Sequence, residues 1–229
     1  MSFFITQALI AFLGGLVPIF IWLWFWEHED KHPEPKKLIV LALLAGMAAV
    51  IFVIPIEKFI VSVLENSVST LVLWAATEEV LKFLLAYFTV LRRAENDEPI
   101  DSVMYMIAVA LGFSALENAL FIFGPILDGN TGEAILTNGF RFVGATLLHT
   151  VASGVIGIVL ALSFYKKKSV RRLYITAGVI LAILLHSGFN LSIIFLEGSE
   201  SIFSFYAVWV GLIVMLLLFE KVKSIRKPN

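Results

Sequence analysis

The chain has 229 residues, of which 59% are apolar and 15% are charged, and its mean hydropathy is +0.93. A soluble domain is about 45–50% apolar and about 25% charged, so this composition excludes a soluble globular protein and a disordered chain. The net charge of −1 leaves no basic surplus for nucleic acid, and the lack of cysteine excludes disulfides and thiol chemistry. We therefore expect an all-α polytopic membrane protein that forms a single transmembrane domain over residues 1–229.

Seven apolar runs are long enough to cross a bilayer as helices, which takes about 20 residues each. In chain order they are Ile5–Trp26, Leu38–Pro55, Val68–Leu91, Ser102–Phe123, Phe140–Phe164, Leu173–Phe195 and Ser201–Phe219. The alternating pattern of a β-barrel strand is absent. The polar stretch Gly124–Gly139 is predicted to be the longest loop.

The basic residues predict the orientation. Fourteen of the 17 lysines and arginines follow the first, third, fifth and seventh spans. They are Lys31, Lys36, Lys37, Arg92, Arg93, Lys166, Lys167, Lys168, Arg171, Arg172, Lys221, Lys223, Arg226 and Lys227. The positive-inside rule places these residues in the cytoplasm. We therefore expect the N-terminus outside and the C-terminus inside, with Lys58 and Arg141 on the outer side.

The most informative residues are polar side chains inside the spans. They are Glu78, Glu79 and Lys82 in the third span, Glu117 in the fourth, His149 in the fifth, and His186 with Asn190 in the sixth. An unpaired charge at the centre of a membrane helix costs ~2.5–3.5 kcal/mol. At ~1.5 Å per residue, four consecutive spans place an acid or an imidazole at a similar depth. We expect these groups to meet inside the bundle, in a catalytic core of about residues 68–195.

This set of side chains suggests hydrolysis by an activated water molecule. A buried carboxylate can act as a general base, and the i,i+4 pair His186 and Asn190 can stabilise an oxyanion. The same kinds of group could instead hold zinc, with His149, His186 and Glu117 as ligands, although no compact zinc motif is present. A proton or ion transporter also uses intramembrane glutamate and histidine. A non-catalytic membrane scaffold is a further alternative.

Four motifs, in order, resemble the PrsW family of intramembrane proteases. They are Glu78-Glu79-Val80-Leu81-Lys82, Gly112-Phe113-Ser114-Ala115-Leu116-Glu117-Asn118, Leu148-His149 and Leu185-His186-Ser187-Gly188-Phe189-Asn190. The segment Asp30–Pro35 is similar to an acidic, proline-containing segment that follows the first span in that family. The family in turn resembles a wider group that includes the CAAX prenyl endopeptidases. In that group, arginine stands one residue beyond the position of Lys82, and histidine stands where this chain has Glu117.

The resemblance implies a multi-pass protease of a bacterial or archaeal cell membrane that cuts a single-span substrate, such as an anti-sigma factor, in a stress response. It implies that Glu78 or Glu79 is the base and that His186 and Asn190 form the oxyanion hole. Glu117 would orient the water or a histidine, and His149 would supply the imidazole that the wider group has at position 117. We expect a glutamic-type protease without a cofactor, with zinc as the alternative. The expected partners are the bilayer and the substrate, without nucleic acid.

Overall fold

The computed structural model describes residues 2–30, 32–65, 67–196, 200 and 202–227, and these residues contain helices and no strand. Lys31 and Ser201, which the sequence predictions include, lie outside the described residues. The helices are α1 (Ser2–Glu29), α2 (Lys36–Leu64), α3 (Val68–Ala86), α4 (Pro99–Leu127), α5 (Thr131–Val143), α6 (Ala145–Leu162), α7 (Lys168–Phe195) and α8 (Ile202–Lys223). A π-helical turn over Tyr87–Leu91 extends α3.

Six helical stretches in the described residues are long and apolar enough to cross a membrane: α1, α2, α4, α5 together with α6, α7 and α8. The third predicted span is α3, which carries three charged residues within its 19 positions. Those three side chains are buried, so α3 directs its charges into the bundle. The all-α polytopic architecture is confirmed, whereas the orientation of the termini stays a prediction.

The structure corrects the predicted end of the second span. The sequence places this end at Pro55, but α2 continues through the proline to Leu64. Proline removes one backbone hydrogen bond, and membrane helices tolerate this loss when neighbouring groups compensate for it. Glu57 and Lys58 therefore belong to a helix and not to a loop.

The predicted loop over Gly124–Gly139 is also wrong. Most of it is helical, because α4 continues to Leu127 and α5 begins at Thr131. The predicted fifth span is in turn divided at Gly144 into α5 and α6. Helix α5 is amphipathic, so it lacks the continuous apolar run by which the sequence identified the other helices.

Helix α4 lies at the centre of the bundle and packs against α1, α2 and α6. Most of its residues are buried, as expected for a helix surrounded by others. Two glycines allow α2 and α4 to touch backbone to backbone. A Cβ atom on Gly46 would lie 1.9 Å from the Val109 carbonyl oxygen, and one on Gly112 would lie 2.0 Å from that of Leu43. This contact fixes the position of the Gly112–Asn118 motif along the axis of the bundle.

The acidic segment after α1 is tied to the same central helix. The hydroxyl of Tyr105 on α4 donates a hydrogen bond to the Glu34 carboxylate. Burial raises the pKa of the Glu34 carboxyl above its usual value. The segment therefore packs on the start of α4, at the end of that helix opposite to Glu117.

Candidate active site

One part of the site is a buried ion pair on α3. Lys82 Nζ lies 2.5 Å from Glu79 Oε1, and both side chains are fully buried. Ser153 on α6 donates a hydrogen bond of 2.8 Å to the other oxygen of Glu79. The ammonium group also lies over the ring of Phe113, 4.5 Å from its centroid. Because its charge is balanced and its oxygens are bonded, Glu79 is held in one orientation.

Each imidazole of the site donates a hydrogen bond to a different carboxylate. His186 Nδ1 lies 2.9 Å from Glu79 Oε1, and His149 Nε2 lies 2.9 Å from Glu117 Oε2. A carboxylate accepts hydrogen bonds, so the N–H of each ring is on the bonded nitrogen. When each ring is neutral, the remaining nitrogens, His149 Nδ1 and His186 Nε2, carry lone pairs.

These two lone pairs face the third glutamate. Glu78 Oε2 lies 3.8 Å from His149 Nδ1 and 3.8 Å from His186 Nε2. One ligand atom from each of the three residues lies within 4.8 Å of the other two. Glu78 Oε2 is buried without a hydrogen-bond partner. Three acceptor atoms that face one another repel, so this arrangement suits positive charge in or beside the space between them.

Lys82 also approaches this space. Its Nζ lies 3.0 Å from His149 Nδ1, where it can donate a hydrogen bond, and 4.0 Å from Glu78 Oε2. The ammonium group therefore supplies part of the positive charge that the cluster needs. A metal ion bound to His149 Nδ1 would require Lys82 to turn away and keep only its contact with Glu79.

Arg141 on α5 is a site residue that the sequence prediction missed. Its Nη2 lies 2.5 Å from Glu117 Oε2, and its Nε donates to Asn118 Oδ1 at 2.6 Å. Asn118 in turn donates to Thr146 at the start of α6. Because Glu117 also holds His149, the arginine supports the imidazole through one intermediate. Its place beside a long apolar run could have indicated a buried partner.

A cavity of about 440 Å³ extends from Glu78, His149 and His186 toward the C-terminal ends of α2, α4 and α7. Its wall is mostly apolar, and Asn190 lines it one helical turn beyond His186. Glu57 also lines it, beside Glu78. The sequence prediction missed Glu57 because it ended the second span at Pro55. The cavity therefore joins a polar cluster to a mostly apolar space.

Six of the seven predicted site residues meet in one network of contacts, and Asn190 lies on the cavity wall beside them. The set that shares a common space is Glu78, His149 and His186. Glu117, which the sequence offered as the third zinc ligand, lies against the opposite nitrogen of His149 and is paired with Arg141.

Residues 34–219 match a family described as "PrsW family intramembrane metalloprotease". The chain is 24% identical over 212 residues to Protease PrsW of Shouchella clausii, a match that covers 90% of this chain and 92% of that protein. It is 26% identical over 159 residues to Protease PrsW of Geobacillus kaustophilus, covering 68% of this chain and 62% of that protein. No solved structure is significantly similar to the chain. The family match spans most of the chain and includes every motif of the site, so this multi-pass cell membrane protein belongs to the PrsW family of membrane proteases.

Proposed function

We propose that the chain is a metal-dependent intramembrane endopeptidase, with Glu78, His149 and His186 as the metal ligands. The observation that carries this proposal is the convergence of their three acceptor atoms around a buried carboxylate oxygen without a hydrogen-bond partner. The matching family's description as a metalloprotease agrees with it. The sequence alone favours a metal-free site, whereas this geometry favours the zinc alternative.

The donor set fits zinc. Two histidines and one glutamate form a ligand set found in catalytic zinc sites, which keep a position open for water or substrate. Ligating histidines usually donate their other N–H to a carboxylate or carbonyl, as His149 does to Glu117 and His186 does to Glu79. When bound, zinc supplies a Lewis acid that activates water and polarises a carbonyl.

The other polar residues of the cavity have distinct roles in peptide hydrolysis. Water adds to the carbonyl carbon, the carbon–nitrogen bond breaks, and a proton passes to the leaving amine. In this proposal Glu57, which lines the cavity, takes the proton from the water and delivers it to the amine. Asn190, which also lines the cavity, donates a hydrogen bond to the oxygen on which negative charge develops. Lys82 and Arg141 neutralise Glu79 and Glu117.

A metal-free glutamic mechanism is the second candidate, and the position of Lys82 favours it. The ammonium group contacts His149 Nδ1 at 3.0 Å and therefore competes with a metal for that nitrogen. In this mechanism Glu78, which lines the cavity, is the general base.

The substrate in this proposal is a single-span membrane protein, and an anti-sigma factor is the example that the family resemblance suggests. The test reconstitutes the full chain in liposomes with candidate single-span proteins. We expect cleavage to stop when a chelator removes zinc and to return when zinc is added back. Full activity in protein freed of metal would overturn the metal proposal and leave the glutamic one. A Glu95→Gln variant, altered at an exposed acid far from the cavity, is the control for charge removal.

A further inference from the structure

A second polar cavity, of about 510 Å³, lies at the ends of α3, α6 and α7. Four cations line it: Arg92, Lys168, Arg171 and Arg172. Its floor is apolar and includes Leu160 and Ile175. It is separated from the catalytic cluster by ~15 Å of helix, the rise from Lys82 to Arg92. This basic cavity is therefore distinct from the active site.

The four cations have no acidic partner within the described part of the chain, and no acid lines the basic cavity there. The Arg92 guanidinium lies over the ring of Tyr87, at 5.6 Å from its centroid, and that of Arg171 lies over Phe164 at the same distance. Aromatic faces orient a guanidinium but do not neutralise its charge. An anion that enters the cavity would therefore reduce the repulsion between the cations.

The start of α7 strengthens the case for an anion. Lys168 and Arg171 lie in its first turn, which contains no acidic residue, and the N-cap residue Lys167 makes no side-chain capping bond. The N-terminus of a helix carries a positive partial charge, so cations are unfavourable there. The first amides of the helix also lack partners within it. A phosphate group would neutralise the side chains and accept from these amides.

Exposed apolar side chains border the basic cavity, as expected for a site at the level of the lipid headgroups. Phe88 is 64% exposed and Leu173 is 69% exposed, and each lies within one turn of a cation of the cavity. Exposed apolar side chains directly beside charged ones mark the boundary between the hydrocarbon core and the headgroups. The positive-inside rule explains why basic residues occur at this face, but it does not explain why four of them surround one cavity with an apolar floor.

We propose that this cavity binds the phosphate group of an anionic phospholipid of the cytoplasmic leaflet. The four cations hold the phosphate, and the apolar floor accepts the beginning of an acyl chain. Basic pockets between membrane helices on the cytoplasmic side are a recurring way of binding anionic lipids. The site is independent of the proposed proteolytic mechanism.

The test uses two double variants with the same change in charge. Arg171→Gln with Arg172→Gln removes two cations from the basic cavity, and Lys166→Gln with Lys167→Gln removes two neighbouring cations that do not line it. Native mass spectrometry measures the retention of phosphatidylglycerol and phosphatidylcholine by the full chain. We expect phosphatidylglycerol to be retained in preference by the unaltered chain and by the lysine variant. The arginine variant should bind it about tenfold more weakly than the lysine variant.

Thermal unfolding in phosphatidylcholine alone controls for folding. There the arginine variant should unfold at the same or a higher temperature than the unaltered chain, because it relieves repulsion at the start of α7. Equal loss of phosphatidylglycerol in both variants, or no preference of the unaltered chain for it, would overturn the proposal. Displacement of the lipid by inorganic phosphate at a similar concentration would overturn the lipid assignment. None of these measurements depends on proteolysis.

Discussion

Glu79 and Glu117 play the same structural role, since each orients one imidazole of the site. Each accepts the N–H of one histidine, so the lone pairs of His186 and His149 turn toward Glu78. Each carboxylate is also paired with its own cation, Lys82 or Arg141. The charges beside the three proposed ligands are therefore already balanced by the protein, and such preorganisation favours catalysis.

At the residue scale, Glu78 and Glu57 should separate metal binding from proton transfer. Glu78→Gln removes a ligand, so it should lower both zinc content and activity. Glu57→Gln should keep zinc but lower the turnover number by ~10²-fold or more, the scale of general acid–base catalysis. Elemental analysis and a cleavage assay on the same preparations make the comparison, with Glu95→Gln as the control. Normal zinc content in Glu78→Gln, or normal turnover in Glu57→Gln, would refute the assigned roles.

Asn190 should matter most in the transition state. Losing one oxyanion donor typically lowers turnover by ~10²–10³, so Asn190→Ala should lower the turnover number strongly and change KM little. Ser192→Ala is the control, because that hydroxyl bonds the backbone of its own helix outside the cavity. A polar contact between helices is worth only ~0.6 kcal/mol on average. An Asn190→Ala protein that is slightly less stable yet fully active would reduce the residue to that structural role.

At the scale of elements, the contact between α2 and α4 sets the position of the motif on α4. Gly112→Ala would place a Cβ atom 2.0 Å from the Leu43 carbonyl oxygen, so the two helices must separate. We expect a loss of about 1–3 kcal/mol in stability, together with lower activity, because Phe113 and Glu117 move with the helix. Gly124→Ala on the same helix meets no atom within 4 Å. It should be neutral or stabilising by up to about 1 kcal/mol. Denaturation in detergent measures both variants, and equal stabilities would contradict the close packing.

The sequence predicts the buried network because charge inside an apolar run has a large energetic cost and so must find a partner. Glu78, Glu79, Lys82, Glu117, His149 and His186 are identified in this way. The same reasoning fails for residues that lie outside a continuous apolar run. Helix α2 continues past Pro55, so Glu57 lay outside the predicted second span and was not considered. Helix α5 is apolar on one face only, so Arg141 was expected on the outer side and its contact with Glu117 was not predicted. Which nitrogen of each histidine faces Glu78 depends on tertiary contacts that spacing does not encode.

At the scale of the whole molecule, the orientation in the membrane is a prediction that rests on the basic residues alone. Because the chain has no cysteine, single cysteines report their own positions. Asn130→Cys should react with a membrane-impermeant thiol reagent in intact cells, and Ser169→Cys should be protected until the cells are permeabilised. Both positions are exposed, so protection reports the membrane and not burial. The opposite labelling pattern would place the active-site cavity at the cytoplasmic side.

We propose above that Glu78, His149 and His186 hold one zinc ion in the working protease. X-ray absorption at the zinc edge of active, purified protein is the decisive measurement. We expect one zinc per chain with two imidazole nitrogens at ~2.0–2.1 Å and a carboxylate oxygen at ~2.0–2.2 Å. The nitrogen signal should halve in a His186→Ala variant. Active protein without zinc, or zinc surrounded by oxygen ligands alone, would contradict this proposal.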